Sequence, residues 1–322
     1  MKKVIIAALS VGAMVLAGCT KTEVTDIPDS RYIGFDNAFI GNPTKAGLPV
    51  DDQFGAKNGI SQFFVFGNTA SEVVFDEVRV YESNDQWVYD ELKQWANGQT
   101  YKFAAYSVTD ANGLPEANGT AAFDYNNHQL TITDYTSNDT YQRDLLVATS
   151  AQTLNPDNEP VAFTFKHALS MIKFTFQSSL GDKNPITITN FKVAGINTKA
   201  NLSVEEDAGT KIEWTGFSEE SAFTDSRESM VATTTTPAVS EEFVVIPQSV
   251  TGNVTVTFHV EIVGLQGKDL TATIENPAWE YGKRYNYVAT ITGTDVDVIE
   301  FADPIVDDWT DDANSPISED ID

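Results

Sequence analysis

Chemistry in this chain would have to come from very few residues. There are three histidines, His128, His167 and His259, and a single cysteine, Cys19. None of the histidines is a near neighbour of another or of the cysteine, and the one glutamate at ligand-like spacing is Glu261, two positions after His259. On a strand those two side chains share a face, but two ligands from one strand do not make a metal site, which needs three or four converging donors. Ser170 lies close to His167, yet no Gly-x-Ser-x-Gly elbow accompanies it, and a nucleophilic serine needs both a base and an orienting group. Asp307-Asp308 and Asp311-Asp312 are adjacent acidic pairs without the alternating spacing and turn glycine of a calcium loop, so they read as a solvated tail. No glycine-rich phosphate loop occurs. Trp87 and Trp95, near Tyr89, are the aromatics best spaced to stack on a sugar, and core packing explains them as readily. The expectation is a chain with no catalytic residue, no bound metal and no cofactor.

Cys19 is the exception. Lys2 and Lys3 open the chain, residues 4–16 are almost wholly apolar, and Leu16-Ala17-Gly18 leads into the cysteine. Positive start, short apolar core and small residues before a cut make a secretory signal, too short for a comfortable membrane span. Leu16-Ala17-Gly18-Cys19 resembles the lipobox of bacterial lipoproteins, in which a peptidase cuts before the cysteine and its thiol takes diacylglycerol. A lone thiol has no disulfide partner to explain it otherwise. One acyl chain holds a bilayer only marginally, at about 0.8 kcal/mol per buried methylene, whereas two or more anchor stably. Residues 1–18 are therefore expected to be removed, and residues 19–30, polar and without periodicity, to form a tether.

About 300 residues remain after the signal, enough for two ordinary domains. The formal charge of the whole chain is −27. A chain so acidic offers no footprint for a phosphate backbone, and no nucleic-acid partner is expected. Anionic lipid gives it no electrostatic help either, so the acyl chains would be its only hold on a membrane. Without disulfides its stability must come from buried apolar side chains, which 41% hydrophobic content permits.

The elements that would carry these residues are strands. Apolar runs or alternations occupy 32–35, 60–66, 73–81, 101–106, 128–133, 161–165, 172–176, 186–193, 243–246, 254–263 and 285–291. Val254-Thr255-Val256-Thr257-Phe258-His259-Val260-Glu261-Ile262 is the cleanest period-two stretch, as expected of a half-buried antiparallel strand. Residues 90–96, opened by Asp90 and stopped by Asn97-Gly98, have the ends of a turn of helix. Many strands separated by turn formers predict an all-β protein made of β-sandwiches. The densest interior cluster of turn formers, Asn155-Pro156-Asp157-Asn158-Glu159-Pro160, sets the expected domain limits at 31–157 and 158–309. The acidic tail is 310–322; from Asp295 to Asp322 there are eleven acidic residues and no basic one.

Several stretches together resemble the fimbrillin family, also known as Mfa-like proteins or type V pilins. They are Trp95-x-x-Gly98 leading into Tyr101-Lys102-Phe103-Ala104-Ala105-Tyr106, then Arg143-Asp144-Leu145-Leu146-Val147-Ala148. Next comes Phe163-x-Phe165-x-His167-Ala168-Leu169-Ser170-x-Ile172-x-Phe174, and after it Val245-Ile246-Pro247-Gln248. The last are Trp279-x-x-Gly282-Lys283-x-Tyr285-x-Tyr287 and Val306-x-x-Trp309. The resemblance implies two transthyretin-like β-sandwich domains in tandem, export as a lipoprotein, and display at the outer-membrane surface. It also implies polymerisation with like or unlike subunits into a fimbria supporting adhesion. A non-polymerising surface lipoprotein that binds a glycan or a host protein is the alternative. In the family a protease removes an N-terminal strand, and the C-terminal strand of a neighbour fills the groove, a case of strand addition.

The two chain ends can be compared on that basis. Residues 32–40 laid over 298–306 bring Ile33 onto Ile299 and Phe35 onto Phe301, with apolar residues also coinciding at Tyr32 and Val298, Phe39 and Ile305, and Ile40 and Val306. Ile33, Phe35 and Phe39 are thus the expected displaced strand, and Val298, Ile299, Phe301 and Ile305 the expected donor strand. Pro304 weakens the match because it cannot donate to a ladder. The freeing cut would fall at Lys45; a cut at the alternative site, Arg31, would release the lipid but keep the first strand in its groove. The overlay further implies that Phe301→Asp would block assembly without unfolding the monomer. For the anchor, Cys19→Ser should give a precursor that takes up no labelled palmitate and does not sediment with outer membranes; label retained by that variant would refute lipidation at this residue.

Overall fold

The computed structural model describes residues 32–40, 60–83, 86–108, 113–114, 118–153, 159–180, 184–206, 209–292 and 299–309. Cys19, Arg31, Lys45 and Val298 lie outside the described residues. The described chain is all β, with three sheets. In the first, the order is β1 (Phe35–Ile40), β9 (Val161–His167), β8 (Leu146–Thr153), β5 (Thr100–Ser107), β2 (Gln62–Asn68), β3 (Val73–Ser83) and β4 (Gln86–Val88). All neighbours are antiparallel except β1, which runs parallel to β9. The second sheet runs β14 (Ala238–Val239), β10 (Ser170–Ser178), β18 (Lys283–Ile291) and β19 (Ile305–Asp308), with β15 (Phe243–Val245) also on β10. The third runs β17 (Lys268–Glu275), β16 (Asn253–Ile262), β11 (Ile186–Glu206), β7 (Gln129–Thr136) and β6 (Thr120–Asp124). Both β12 (Thr210–Thr224) and β13 (Met230–Ala232) pair with β11 as well.

Three apolar cores follow from this layering. Alternate residues of β2 and β5 go to opposite sides, so Phe63, Val65, Phe103 and Ala105 enter one core and Phe64, Phe66, Ala104 and Tyr106 another. A strand buried on both faces needs no polar alternation, which is why β2 reads as an unbroken apolar run. The core between the first and third sheets also takes Leu130, Ile132, Ala200, Leu202 and Val204. That between the second and third takes Ile172, Phe174, Phe176, Tyr285 and Tyr287 with Ile186, Ile188, Val254, Val256 and Phe258.

β11 serves both of the latter. Its first part pairs with β16 and its second with β7. The buried positions shift phase twice, from Ile186 and Ile188 to Phe191 and Val193, then to Ile196, Thr198, Ala200, Leu202 and Val204. Each shift coincides with a residue of positive φ, Asn190 at 54° and Gly195 at 89°, where a bulge adds one residue and turns the strand over. At Gly195 a Cβ would come within 2.8 Å of the Asn253 carbonyl oxygen, so glycine is needed for space as well as conformation. Gln248 fixes the strand beside this kink, its Nε2 donating to Asn197 O at 2.9 Å and its Oε1 accepting from Asn197 N–H at 3.1 Å.

One turn is built twice. In Trp95-Ala96-Asn97-Gly98 and Trp279-Glu280-Tyr281-Gly282 the glycines have φ of 71° and 67°. In each, the amide after the tryptophan donates to a tyrosine hydroxyl on the next strand: Ala96 N–H to Tyr101 at 2.7 Å and Glu280 N–H to Tyr285 at 2.8 Å. Trp95 and Trp279 are buried in separate cores.

Residues 90–96 are not helical. Lys93 donates its N–H to the Tyr89 hydroxyl and accepts at its carbonyl from Ile33 N–H at 2.8 Å, and Gln94 bridges to Tyr32, so this backbone is engaged by the start of the chain instead. The expected domain limit at 157/158 falls in an undescribed stretch. β9, on its far side, pairs with β8 and β1, and the chain leaves the first sheet only at Ala168-Leu169. Gly195→Ala should destabilise the protein by about 1–3 kcal/mol, from strain at positive φ and the clash with Asn253; an unchanged urea midpoint would contradict this account of the kink.

Candidate functional site

The first strand is seated by two side chains. Ile33 is fully buried, and Phe35 sits among the rings of Phe63, Phe75, Tyr89, Phe103 and Phe163, with centroids 5.4–6.3 Å apart across that cluster. All but the Phe163 contact are edge-on to Phe35, the geometry aromatic rings favour. The backbone is held at a few points. Ile33 O accepts from the Tyr89 hydroxyl at 2.7 Å, and Gly34 O accepts from Val161 N–H at 2.8 Å. Burial pushes the Tyr89 phenol above its ordinary value, against the opposing effect of the Lys93 N–H, which keeps it a donor to Ile33. Beyond Asp36 the ladder with β9 slips register before resuming at Phe39, which pairs with Thr164. Burial of Ile33 and Phe35, at about 1.5–3 kcal/mol each, therefore accounts for much of what keeps this edge strand in place.

The last strand is also an edge. β19 pairs antiparallel with the start of β18, from Ile305 opposite Asn286 to Asp308 opposite Lys283. Ile299 is buried, and Phe301 is partly buried with its ring edge-on to Phe174 and Phe176 at 5.4 and 5.7 Å. Ile305 is half-buried and Val306 is about half exposed. Ala302 N–H donates to Val288 O at 2.9 Å and Trp309 N–H to Gly282 O at 2.8 Å. Asp308 receives the Lys283 ammonium at 2.5 Å, which raises the lysine pKa on an exposed surface. Of the residues expected to act as donor, Ile299, Phe301 and Ile305 thus pack within their own chain. Phe301→Asp would put a carboxylate among Phe174 and Phe176, so the expectation that it spares the monomer is corrected.

The other chemical candidates have structural roles. Ser170 is fully buried and donates to Glu280 O at 2.7 Å, while His167 Nδ1 lies 2.7 Å from Asp144 Oδ2. His259 Nδ1 meets Asp269 Oδ1 at 2.6 Å across β16 and β17, and its Nε2 lies 3.7 Å from Glu261. His128 pairs with Asn68 Oδ1 at 3.0 Å, and burial followed by the charge of Lys102 lowers its pKa. Among the described residues no group of three His, Cys, Asp or Glu side chains could hold a metal ion. Trp95 and Tyr89 are buried, and Trp87 packs on Phe63 at 5.0 Å, so this aromatic group is core.

Sequence patterns alone do not reveal a further contact, the indole of Trp309 lying flat on the His167 imidazole at 4.3 Å and 7°. Its only signal is that each belongs to one of the sequence motifs, Phe163-x-Phe165-x-His167 and Val306-x-x-Trp309.

A family model described as fimbrillin-like matches residues 44–309. No curated protein matches. Among solved structures, a fimbrial protein from Bacteroides vulgatus aligns with TM-score 0.60 at 18% identity, over 87% of this chain and 100% of its own. A candidate cell adhesion protein from Bacteroides uniformis aligns with TM-score 0.52 at 18% identity, over 88% and 100%. Another, from Bacteroides ovatus, gives 0.53 at 14% identity, over 87% and 98%. These similarities establish a shared fold. Phe35→Ala should weaken seating of the first strand by about 3–5 kcal/mol, read as faster hydrogen exchange at Val161 N–H; a wild-type exchange rate there would show that the ring cluster does not hold it.

Proposed function

The chain belongs to the fimbrillin-like family, and from that premise we propose that it is a structural subunit of a surface fimbria, stalk or anchor, which joins its neighbours by exchanging strands and supports adhesion. The observation that carries this is the matched seating of the two ends. Each is an edge segment whose isoleucine and following phenylalanine, two residues on, enter an aromatic core: Ile33 and Phe35 in one, Ile299 and Phe301 in the other. A strand that replaces residues 32–40 must offer the groove the same pair of side chains, and residues 298–306 do. Ladder hydrogen bonds then provide affinity and alternate side chains specificity.

In this scheme Cys19 carries the acyl chains that tether the exported protein to the outer membrane, and its partners are like or unlike fimbrial subunits. Cleavage at Lys45 frees the first strand and opens the groove, whereas cleavage at Arg31 sheds the lipid and leaves the groove closed. The family to which the chain belongs is one of structural surface proteins, and no catalytic role is assigned. One feature favours a second function, that of a non-polymerising surface lipoprotein binding a glycan or host protein: the family's protease cuts after arginine, and the basic residues between the first strand and residue 60 are both lysines, Lys45 and Lys57.

Trypsin-like cleavage of the purified protein at Lys45 should produce a ladder of heat-resistant oligomers, and Lys45→Gln should produce none. Oligomers forming equally well from Lys45→Gln, or none from the cleaved wild type, would decide against strand exchange.

A further inference from the structure

Little of the terminal segment is buried along its length. Between Ile299 and Trp309 every residue is half-buried or exposed, and β19 has only four residues on β18. Trp309 differs. It is buried, and it belongs not to the core that takes Ile299 but to the one between the first and third sheets. Its indole covers the imidazole of His167, the last residue of β9, with parallel rings 4.3 Å apart. The imidazole is held from its edge by Asp144 at 2.7 Å, and the two side chains are 4% and 7% exposed. Backbone bonds close the same spot: Trp309 N–H donates to Gly282 O, and Gly282 N–H donates to Leu169 O, both at 2.8 Å. The Trp214 indole N–H donates to Ala168 O at 2.8 Å, fixing the chain just after His167.

The stack thus joins the last described residue of the chain to the end of a strand in the first sheet. A shallow edge strand pinned at its far end by a buried ring leaves its sheet only after that ring has left its slot. We propose that Trp309, with His167 and Asp144 as positioning residues, is a latch that keeps the terminal strand on its own subunit, and that release of the indole is the step that makes the strand available to a neighbour. This rests on the strand-exchange function proposed above.

The test is hydrogen exchange on the full chain, followed by oligomer formation after cleavage at Lys45. In Trp309→Ala the amides of residues 302–308 should exchange about tenfold faster or more, while Val161 N–H in the first sheet keeps its wild-type rate. Trp309→Phe, which retains a flat ring over His167, should restore most of the protection. Wild-type exchange at 302–308 in Trp309→Ala would overturn the latch, as would a uniform acceleration across all sheets, which would mark Trp309 as a general core residue. Faster oligomer formation by cleaved Trp309→Ala would support both the latch and strand exchange. Freed amides with an unchanged rate of oligomer formation would keep the pin but overturn its control of assembly. Absence of oligomers from every cleaved form, with the amides freed, would instead count against the exchange function itself.

Discussion

A β-strand sends alternate side chains to opposite faces, so a one-residue bulge moves its buried side chains from one parity of the sequence to the other. β11 does this at Asn190 and again at Gly195, so that Phe191 and Val193 join Ile186, Ile188 and Ile196 in one core, and the packing of the third sheet depends on those two kinks. Ahead of them Ile186 and Ile188 face the core shared with the second sheet; past them Ala200, Leu202 and Val204 face the core shared with the first. A straight β11 would bury Asn190 and Lys192 where Phe191 and Val193 now pack. The carbonyl of Asn253 at Gly195 and the amide of Gln248 at Asn197 make the kink a fixed part of the third sheet.

The chain ends are attached to this frame differently from its middle. β11 is paired on both edges, whereas β1 and β19 each have one neighbour and depend on a few large side chains. Phe35 occupies a five-ring box, and Phe301 touches two phenylalanines from the side. Edge position and concentrated side-chain anchoring together allow a segment to leave without the frame unfolding, since local opening costs only the contacts that the segment itself makes. Strand exchange requires that property.

Where one or both faces of a strand are simply inside or outside, its sequence shows it. The alternation at 254–262 became β16 (Asn253–Ile262), and the apolar run at 60–66 became β2 (Gln62–Asn68). That Ile33, Phe35, Ile299 and Phe301 turn inward was likewise legible from their spacing. Strands with a solvent face rich in Lys, Asn, Ser and Glu were not visible. β12 has seven consecutive exposed residues from Thr215 to Ser221, and its pattern does not distinguish it from a loop. The helical signals at 90–96 were overridden by tertiary hydrogen bonds from Ile33 and Tyr89. The Trp309–His167 stack lies beyond any local pattern, because residues far apart in the chain meet only after three sheets have assembled.

The core between the first and third sheets has a consequence for how the chain matures. Its walls include Phe64 and Tyr106 from early in the chain, Leu202, Val204, Ile212 and Trp214 from well past the middle, and Trp309 near the end. A chain emerging N-terminus first therefore cannot close this core from its first half alone. β6 and β7 wait for β11, and the His167 ring waits for the last strand. Throughout that interval the face of β2 and β5 that carries Phe64, Phe66, Ala104 and Tyr106 stays open, exposed apolar surface of the kind that makes β-proteins aggregate. Such a chain must be kept soluble until its synthesis is complete, and a fragment ending near residue 157 would lack one wall of its own interior.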